Sequence, residues 1–471
     1  MLLVRTAALS VSLSSLLLAG PALGSDIYVT PGDSIQAAID GAAAGDTIHI
    51  AGGTYSESIE IGDSNLIDGI TLFGDPSDLP VITGGVHTSN SSAISGWTFE
   101  NMIIRGTAPG QGAVFEMDNG GAFSNLSLVN VTIDGEGQNV HGFLGQGLTG
   151  TFSTIDCTIE NIGNWAAFDT DSGGGIGDDG LEAIVFTGNT IQNNDGAVAL
   201  RGADLGSAVT TTAATVANNT VYNLNNNFGS ANAWAGIELT RIDGTATVTD
   251  NSFDEIDAAS WGEGQGLQLW MISTLTVTGN TITNCNRGMD LAFQDSNPMN
   301  ASIHENVISG STEYGIKTWA GNFSTGTAVT SVDATHNYWG AADGPSGDAS
   351  GSGDAIYGAI DYAPWYTDDT LTTLVEQDCT GEWGGSVVED IFGVCGGDGS
   401  IQGAIDAASA GDSINIPAGT YGSIEIGDAN LVDGITLTGD PSDMPVITGG
   451  VHMSNSSAIS GWTFENMIIR G

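Results

Sequence analysis

Through the middle of the chain, apolar and polar residues alternate in short runs that end on Asn, Gly or Asp. The runs recur as FENMIIRG, LVNVTIDG, TIDCTIEN, FTGNTIQN, VANNTVYN, VTDNSFDE, VTGNTITN, IHENVISG and ATHNYWGA. Aligned, they place Met102, Val131, Cys157, Asn189, Asn219, Asn251, Asn280, Asn306 and Asn337 in one column, with successive gaps of 29, 26, 32, 30, 32, 29, 26 and 31 residues. The period of two, carried by β-branched and aromatic residues, predicts strands, and no helical period interrupts them. One such unit cannot bury its own apolar face. Stacked as coils of a solenoid, the units bury a continuous core and pair each strand with its counterpart one coil on. Six of the nine column positions are Asn. Amides repeated every ~4.8 Å can bond rung to rung and tolerate a left-handed turn, so the register predicts an asparagine ladder. The frequency of Asn in loops accounts for its abundance but not for its alignment.

A solenoid needs a cover at its open end. In DSIQAAIDGAAAGDTIHIAGGTY, Asp33 or Ser34 can cap a short helix over 34–43 with Ile35, Ala38, Ile39 and Ala42 on one face, ended by Gly45 and Asp46 before a strand at 47–50. Such a helix covers unpaired strand edges. Ahead of it, residues 1–24 hold Arg5, an apolar run and the small residues Ala22, Leu23 and Gly24, the grammar of a signal peptide. No other apolar run approaches the ~20 residues of a membrane helix. The expected location is therefore secreted, extracellular or at the cell surface.

Composition changes the picture in one respect. Seven Lys and Arg face 56 Asp and Glu, and removing residues 1–24 takes away Arg5 and no acid, leaving a net charge of about −50. That field repels nucleic acid, anionic membrane and unscreened polyanions, so an acidic polysaccharide would need bound cations or a local basic spot. A surface adapted to salty water is the plainest account of the charge. An apolar content of 40% with 10 Trp and 14 Phe requires a core and excludes disorder as the main state. Of four cysteines, Cys379 and Cys395 lie close enough in sequence to bridge, while Cys157 and Cys285 sit in separate apolar runs and are expected as buried free thiols.

The opening SIQAAIDGAAAGDTIHIAGGTY, the Asn column and HNYWGAADGPSG at 336–347 together resemble the right-handed parallel β-helix proteins of the pectate-lyase-like superfamily, over roughly residues 26–365. The resemblance implies the fold: all-β, a right-handed parallel β-helix with an N-terminal capping helix. It leaves activity open, because that superfamily includes lyases, hydrolases, epimerases and non-catalytic surface proteins.

Residues 34–106 and 400–471 align with one gap, at Glu57, and 13 substitutions, such as Ile67 against Val432 and Leu79 against Met444. The expected organisation is a signal peptide at 1–24, a β-helix at 25–366, a linker rich in Cys, Gly and Asp at 367–399, and the truncated start of a duplicated β-helix at 400–471. Because the second copy holds only the cap and first coils, the chain is expected to be a piece of a longer tandem protein. The linker resembles short Cys- and Gly-rich modules between domains of secreted bacterial proteins, with Phe392 where that pattern has its middle Cys; the departure leaves Cys379 and Cys395 to pair with each other. Asp378, Glu389, Asp390 and Asp398 could hold Ca²⁺ there, or simply solvate the linker.

Function on a β-helix sits where outward side chains of successive coils line up. Aligning GIELTR, GLQLWM, GMDLAF and GIKTWA on their Gly puts Ile237, Leu267, Met289 and Ile316 inside. Outside they place one column of Glu238, Gln268, Asp290 and Lys317 and a second of Thr240, Trp270, Ala292 and Trp319, with Arg201, Arg241 and Arg287 nearby. This face gathers the sole Lys of the chain beside exposed tryptophans. Indole faces suit sugar rings, and carboxylates and amides suit hydroxyls. The candidate carbohydrate-binding residues are thus Trp270, Trp319, Gln268, Arg241 and Arg287.

Three chemistries stay open for Asp290, Lys317 and Glu238. Glu238 and Asp290, two coils and ~9.6 Å apart, fall at the upper edge of the ~6.5–9.5 Å carboxylate separation of an inverting glycosidase. Lys317 could instead be the base of a uronate lyase, aided by Arg241 or Arg287 and Ca²⁺. Or Asp290 and Lys317 form a cross-strand ion pair. Asp169, Asp171, Asp178 and Asp179, in a Gly-rich excursion, could chelate Ca²⁺ or form a solvated acidic loop. The histidines show no zinc spacing. The expected partner is an extracellular polysaccharide, with no nucleic acid and no obligate protein partner, and two functions compete: a secreted array presenting a carbohydrate-binding face, or a polysaccharide lyase or hydrolase acting on that face.

Overall fold

The computed structural model describes residues 24–471 except 90, 108–110, 118–120, 172–179, 204–208, 226, 261, 293–298, 320–331, 429–431 and 455–456. Nearly all of the signal-peptide reading, and Asp178 and Asp179, lie outside the described residues. The chain divides into two compact units, residues 1–372 and 373–471. The first is a right-handed parallel β-helix in a solenoid of about 13 turns. No helix among the described residues is long and apolar enough to cross a membrane.

Every strand pairs in parallel with its counterpart on the next coil. One face runs from Ile59–Gly62 through Val86–Ser89, Ala113–Met117, His141–Leu144, Ala166–Asp169 and Ala197–Arg201. It continues through Ala235–Thr249, Gln265–Thr278, Arg287–Ala292 and Tyr314–Trp319 to Gly353–Tyr357. The register pairs Ile237 with Leu267, Leu267 with Met289, and Met289 with Ile316, all fully buried, as the alignment on glycine predicted. Further toward the N-terminus, phenylalanines fill the lumen and stack from coil to coil, with Phe115–Phe143 centroids at 5.2 Å and Phe143–Phe168 at 4.5 Å.

The asparagine ladder is continuous. The Nδ2 groups of Asn189, Asn219, Asn251, Asn280 and Asn306 each donate to Oδ1 of the next Asn at 2.8–2.9 Å, ending on Asn337. The same Oδ1 atoms accept the backbone N–H of the preceding rung at 2.9 Å. All six side chains are buried, so these amides replace water for backbone groups that would otherwise be orphaned. Cys157 extends the column: its N–H donates to Asn189 Oδ1 at 2.9 Å, and its Sγ accepts from Val131 N–H at 3.4 Å. Burial pushes its thiol up to about 12. Cys285 is the other buried free thiol. One detail departs from the expectation: the left-handed residue is not the ladder Asn but the one before it, at Asn101, Asn130, Asp156, Asn218, Asp250, Glu305 and His336, with φ between 50° and 58°.

The capping helix spans Ile35–Gly41, with Ser34 as its N-cap accepting from Ala37 N–H at 3.1 Å and with Ile35 and Ile39 buried. Glu57, the residue missing from the second copy, closes this helix start: its carboxylate accepts from Ile35 N–H at 2.7 Å, Gln36 N–H at 3.3 Å and Ser34 Oγ at 2.6 Å. The second copy repeats the helix at Ile401–Ala407 with Ser400 as N-cap.

In the second unit, the residues read as a linker from 373 onward belong to the same compact body as the duplicate. Phe392 and Val394 pack against its core, and Cys379 and Cys395 form a disulfide with Cα atoms 5.4 Å apart. The module is itself a twelve-residue repeat. Asp378 accepts from the N–H groups of Thr380, Glu382 and Val387, and Asp390 from those of Phe392, Val394 and Gly399. These two carboxylates, considered for Ca²⁺, thus hold their own loops closed.

Breaking the ladder in its middle is expected to cost about 2 kcal/mol or more, because Asn251→Ala orphans the N–H of Asn219 and the carbonyl of Val216. Cys157→Asn, which offers a stronger acceptor to Val131 N–H, should match or exceed the wild type. Urea midpoints measure both; an unchanged midpoint for Asn251→Ala would show that the ladder contributes no stability.

Candidate functional site

The outward column on the first face is continuous: Asp169 pairs in register with Ala199, and then follow Glu238, Gln268, Asp290, Lys317 and Tyr357. The parallel column runs Arg201, Thr240, Trp270, Ala292 and Trp319. A third precedes each glycine and runs Ala235, Gln265, Arg287 and Tyr314. Of this column the sequence reading singled out Arg287 alone, and Gln265 and Tyr314, one residue before their glycines, are the additions the structure makes.

The structure brings Asp290 and Lys317 into neighbouring register without pairing them. Asp290, 1% exposed, accepts from the Tyr314 hydroxyl at 2.6 Å and from Gln265 Nε2 at 2.7 Å, with Arg287 Nη1 4.0 Å away. The Lys317 ammonium sits 3.9 Å from the Trp319 ring centroid and 5.3 Å from that of Tyr314, and no carboxylate among the described residues pairs with it. The expected cross-strand ion pair is therefore replaced by a cation held on two ring faces. Burial, reinforced by Asp290, drives the Tyr314 phenol well above its ordinary range, so it remains a donor. Arg287 is bound to Glu313 at 2.9 Å and lies 5.4 Å from the Tyr314 ring.

Glu238 belongs to a second cluster. Its Oε1 accepts from Arg201 Nε at 3.1 Å and its Oε2 from the Trp234 indole N–H at 2.7 Å. Arg201 also reaches Asp169 at 3.2 Å. Arg241, in the left-handed region at φ 62°, pairs with Asp171. Asp169 and Asp171 are thus held by arginines rather than gathered for a cation, and no group of three metal-ligating residues occurs among the described residues. Gln268 stands between Glu238 and Asp290 in the register, and every carboxylate oxygen of that pair accepts a hydrogen bond from the protein. Both acids are buried, with Glu238 7% and Asp290 1% exposed, so each is oriented by fixed protein donors rather than turned to solvent.

Trp270 and Trp319 are half-buried rather than fully displayed. Among the described residues, Thr240 Oγ1 and Trp319 Nε1 are buried with no hydrogen-bond partner, an uncommon state for buried polar atoms. The half-buried indoles of Trp270 and Trp319 and the ammonium of Lys317 are the accessible groups of this part of the face.

No protein-family model matches the chain, and no curated protein matches it. Among solved structures, it is similar to the A-modules of the mannuronan C-5 epimerases AlgE6 and AlgE4 of Azotobacter vinelandii, each at 16% identity. The AlgE6 match covers 70% of this chain and 94% of that one with a TM-score of 0.32; the AlgE4 match covers 71% and 94% with 0.36. Pectate lyase Pel9A matches at 11% identity over 83% of this chain and 86% of that one, with a TM-score of 0.30. At these values the likeness is one of architecture and carries nothing about activity.

Burial raises the Asp169 carboxyl to about 6, with Arg201 pulling the other way. Because the folded value lies above the ~3.9 of an unfolded Asp, this group's contribution to stability is full below that value and is lost as pH rises through about 6. Denaturant midpoints of wild type and Asp169→Asn, compared at pH ~7 and ~4, should therefore shift in favour of the wild type at the lower pH, by at most about 3 kcal/mol. A difference independent of pH would show that Asp169 titrates normally.

Proposed function

We propose that this chain is a secreted protein whose β-helix binds a polysaccharide on the face carrying Trp270, Trp319, Gln268, Arg241, Arg287 and Lys317. The observation that carries the reading is Lys317: in a chain of net charge −49, its sole lysine is held on Trp319 and Tyr314 and pairs with no carboxylate among the described residues. The accessible parts of Lys317, Trp319 and Trp270, all half-buried, offer an ammonium to sugar hydroxyls and indole surface to sugar rings. Binding is favoured over catalysis because Glu238 and Asp290 are buried and oriented by protein donors, away from a chain laid on the face. Export is supported by the leader-like start of the sequence and by the Cys379–Cys395 disulfide, which belongs in an oxidising compartment. Repetition of the β-helix unit suits an array, where linked sites gain avidity.

The enzyme reading rests on a specific feature, the ammonium of Lys317 one register position from Asp290. The full chain is incubated with pectin, alginate and neutral glycans, with and without Ca²⁺, while retention, unsaturated-product absorbance and reducing ends are followed. We expect retention on one glycan without product, and loss of about tenfold or more in affinity for Trp319→Ala and for Trp270→Ala. Retention on no glycan overturns the reading; product formation that is lost in Lys317→Ala replaces it with a lyase or hydrolase.

A further inference from the structure

On the same face, but several coils away from Lys317, two tryptophans outside the columns used so far lie against each other. The Trp165 and Trp234 ring centroids are 6.2 Å apart with planes at 28°. Their coils are not adjacent. Ala197 N–H bonds to Trp165 O, which places Gly196 at the Trp165 position one coil on, before the coil of Trp234. Two strand spacings would separate the tryptophans by ~9.6 Å. The indoles, reaching toward each other, shorten that separation to 6.2 Å.

Both rings are oriented by neighbours that leave them half-buried. The Trp234 indole N–H is fixed on Glu238, and the Arg201 guanidinium stands 5.9 Å from its ring; Trp165 receives the His141 ring in edge contact at 4.9 Å. The solenoid does not need indoles here. The structural tryptophans, Trp97 and Trp339, are fully buried, and the coils after Trp234 carry Gly264 and Asn286 at its position, as the bonds of Gln265 N–H to Trp234 O and of Arg287 N–H to Gly264 O show. Glu238, which positions Trp234, is in register with Gln268, Asp290 and Lys317, so one polar row joins the pair of indoles to the Trp319 end. Between the ends lies the half-buried Trp270, in register with Thr240.

We infer that Trp165 and Trp234 form a second sugar-stacking shelf, and that the ligand is a linear polysaccharide laid along the helix axis and gripped at both ends of the row. From the coil of Trp165 to that of Lys317 is five strand spacings, ~24 Å. A single terminal sugar or a compact branch would engage one end only; a linear chain engages both, and its affinity grows with length until the second end is reached. The inference rests on the carbohydrate reading of this face and adds the ligand's shape and a separate pair of contact residues.

The test uses the full chain, size-graded oligosaccharides of alginate, pectate and cellulose, and isothermal calorimetry. For the series that binds, Trp234→Ala is expected to lower affinity about tenfold for oligomers long enough to span both ends, while changing that for the shortest binding oligomers less than twofold. Trp319→Ala should weaken both. Trp234→Phe keeps a ring but no indole N–H and should recover most of the long-oligomer affinity, which separates stacking from a mere loss of the Glu238 bond. An equal loss at all lengths, or no loss at any, in a wild type that does bind overturns the shelf alone. Wild-type binding of no oligomer in any series overturns the carbohydrate reading and the shelf with it.

Discussion

Everything in the first unit depends on parallel strands that repeat in register from coil to coil. In that arrangement each residue meets its counterpart on the next rung at ~4.8 Å, so the chemistry of one position is multiplied into a row. The row can stabilise or penalise. Buried amides stacked this way satisfy one another and the backbone, as from Asn189 to Asn337, whereas stacked buried carboxylates would repel. The fold therefore places Asn inside the turn, apolar residues in the lumen, and mixed polar residues on the outward columns, where opposite or neutral groups must alternate.

That rule explains how a chain of net charge −49 treats its few bases. Arg201, Arg241 and Arg287 are each placed where a carboxylate would otherwise be buried or crowded, and each is matched by Asp169 and Glu238, by Asp171, or by Glu313. They neutralise the face locally instead of making it basic. What remains for a ligand is polar and aromatic, with Lys317 held by ring faces and, among the described residues, by no carboxylate. Recognition there would come from stacking and hydrogen bonds more than from long-range attraction.

The two copies show the same rule as a pattern of change. Inward Ile48 and Leu72 recur as Ile414 and Leu437, all buried. On the outward column between them, His49 becomes Asn415 and Phe73 becomes Thr438; in the first copy these two rings stack edge to face at 5.5 Å. The lumen permits no such exchange, because a lost ring there leaves a void repeated against both neighbours. The gap at Glu57 removes a carboxylate that accepts the first N–H groups of the capping helix, a local end effect that the coil register does not transmit.

Periodicity alone determined the solenoid, the Asn column, the capping helix, though not whether Asp33 or Ser34 caps it, and which residues of GIELTR, GLQLWM, GMDLAF and GIKTWA share a column, because backbone pairing with a fixed rise makes register a property of spacing. It did not determine partners. Lys317 lies on Trp319 and not on Asp290; Asp290 is closed by Tyr314 and Gln265; Glu238 belongs to Arg201 and Trp234; and Trp234 meets Trp165, two coils back. These contacts run between columns, and they are chosen by side-chain length, rotamer and desolvation rather than by period. Only the tertiary structure could decide them, since several partners lie within reach of each long side chain and the choice is made by which combination leaves the fewest buried groups unsatisfied.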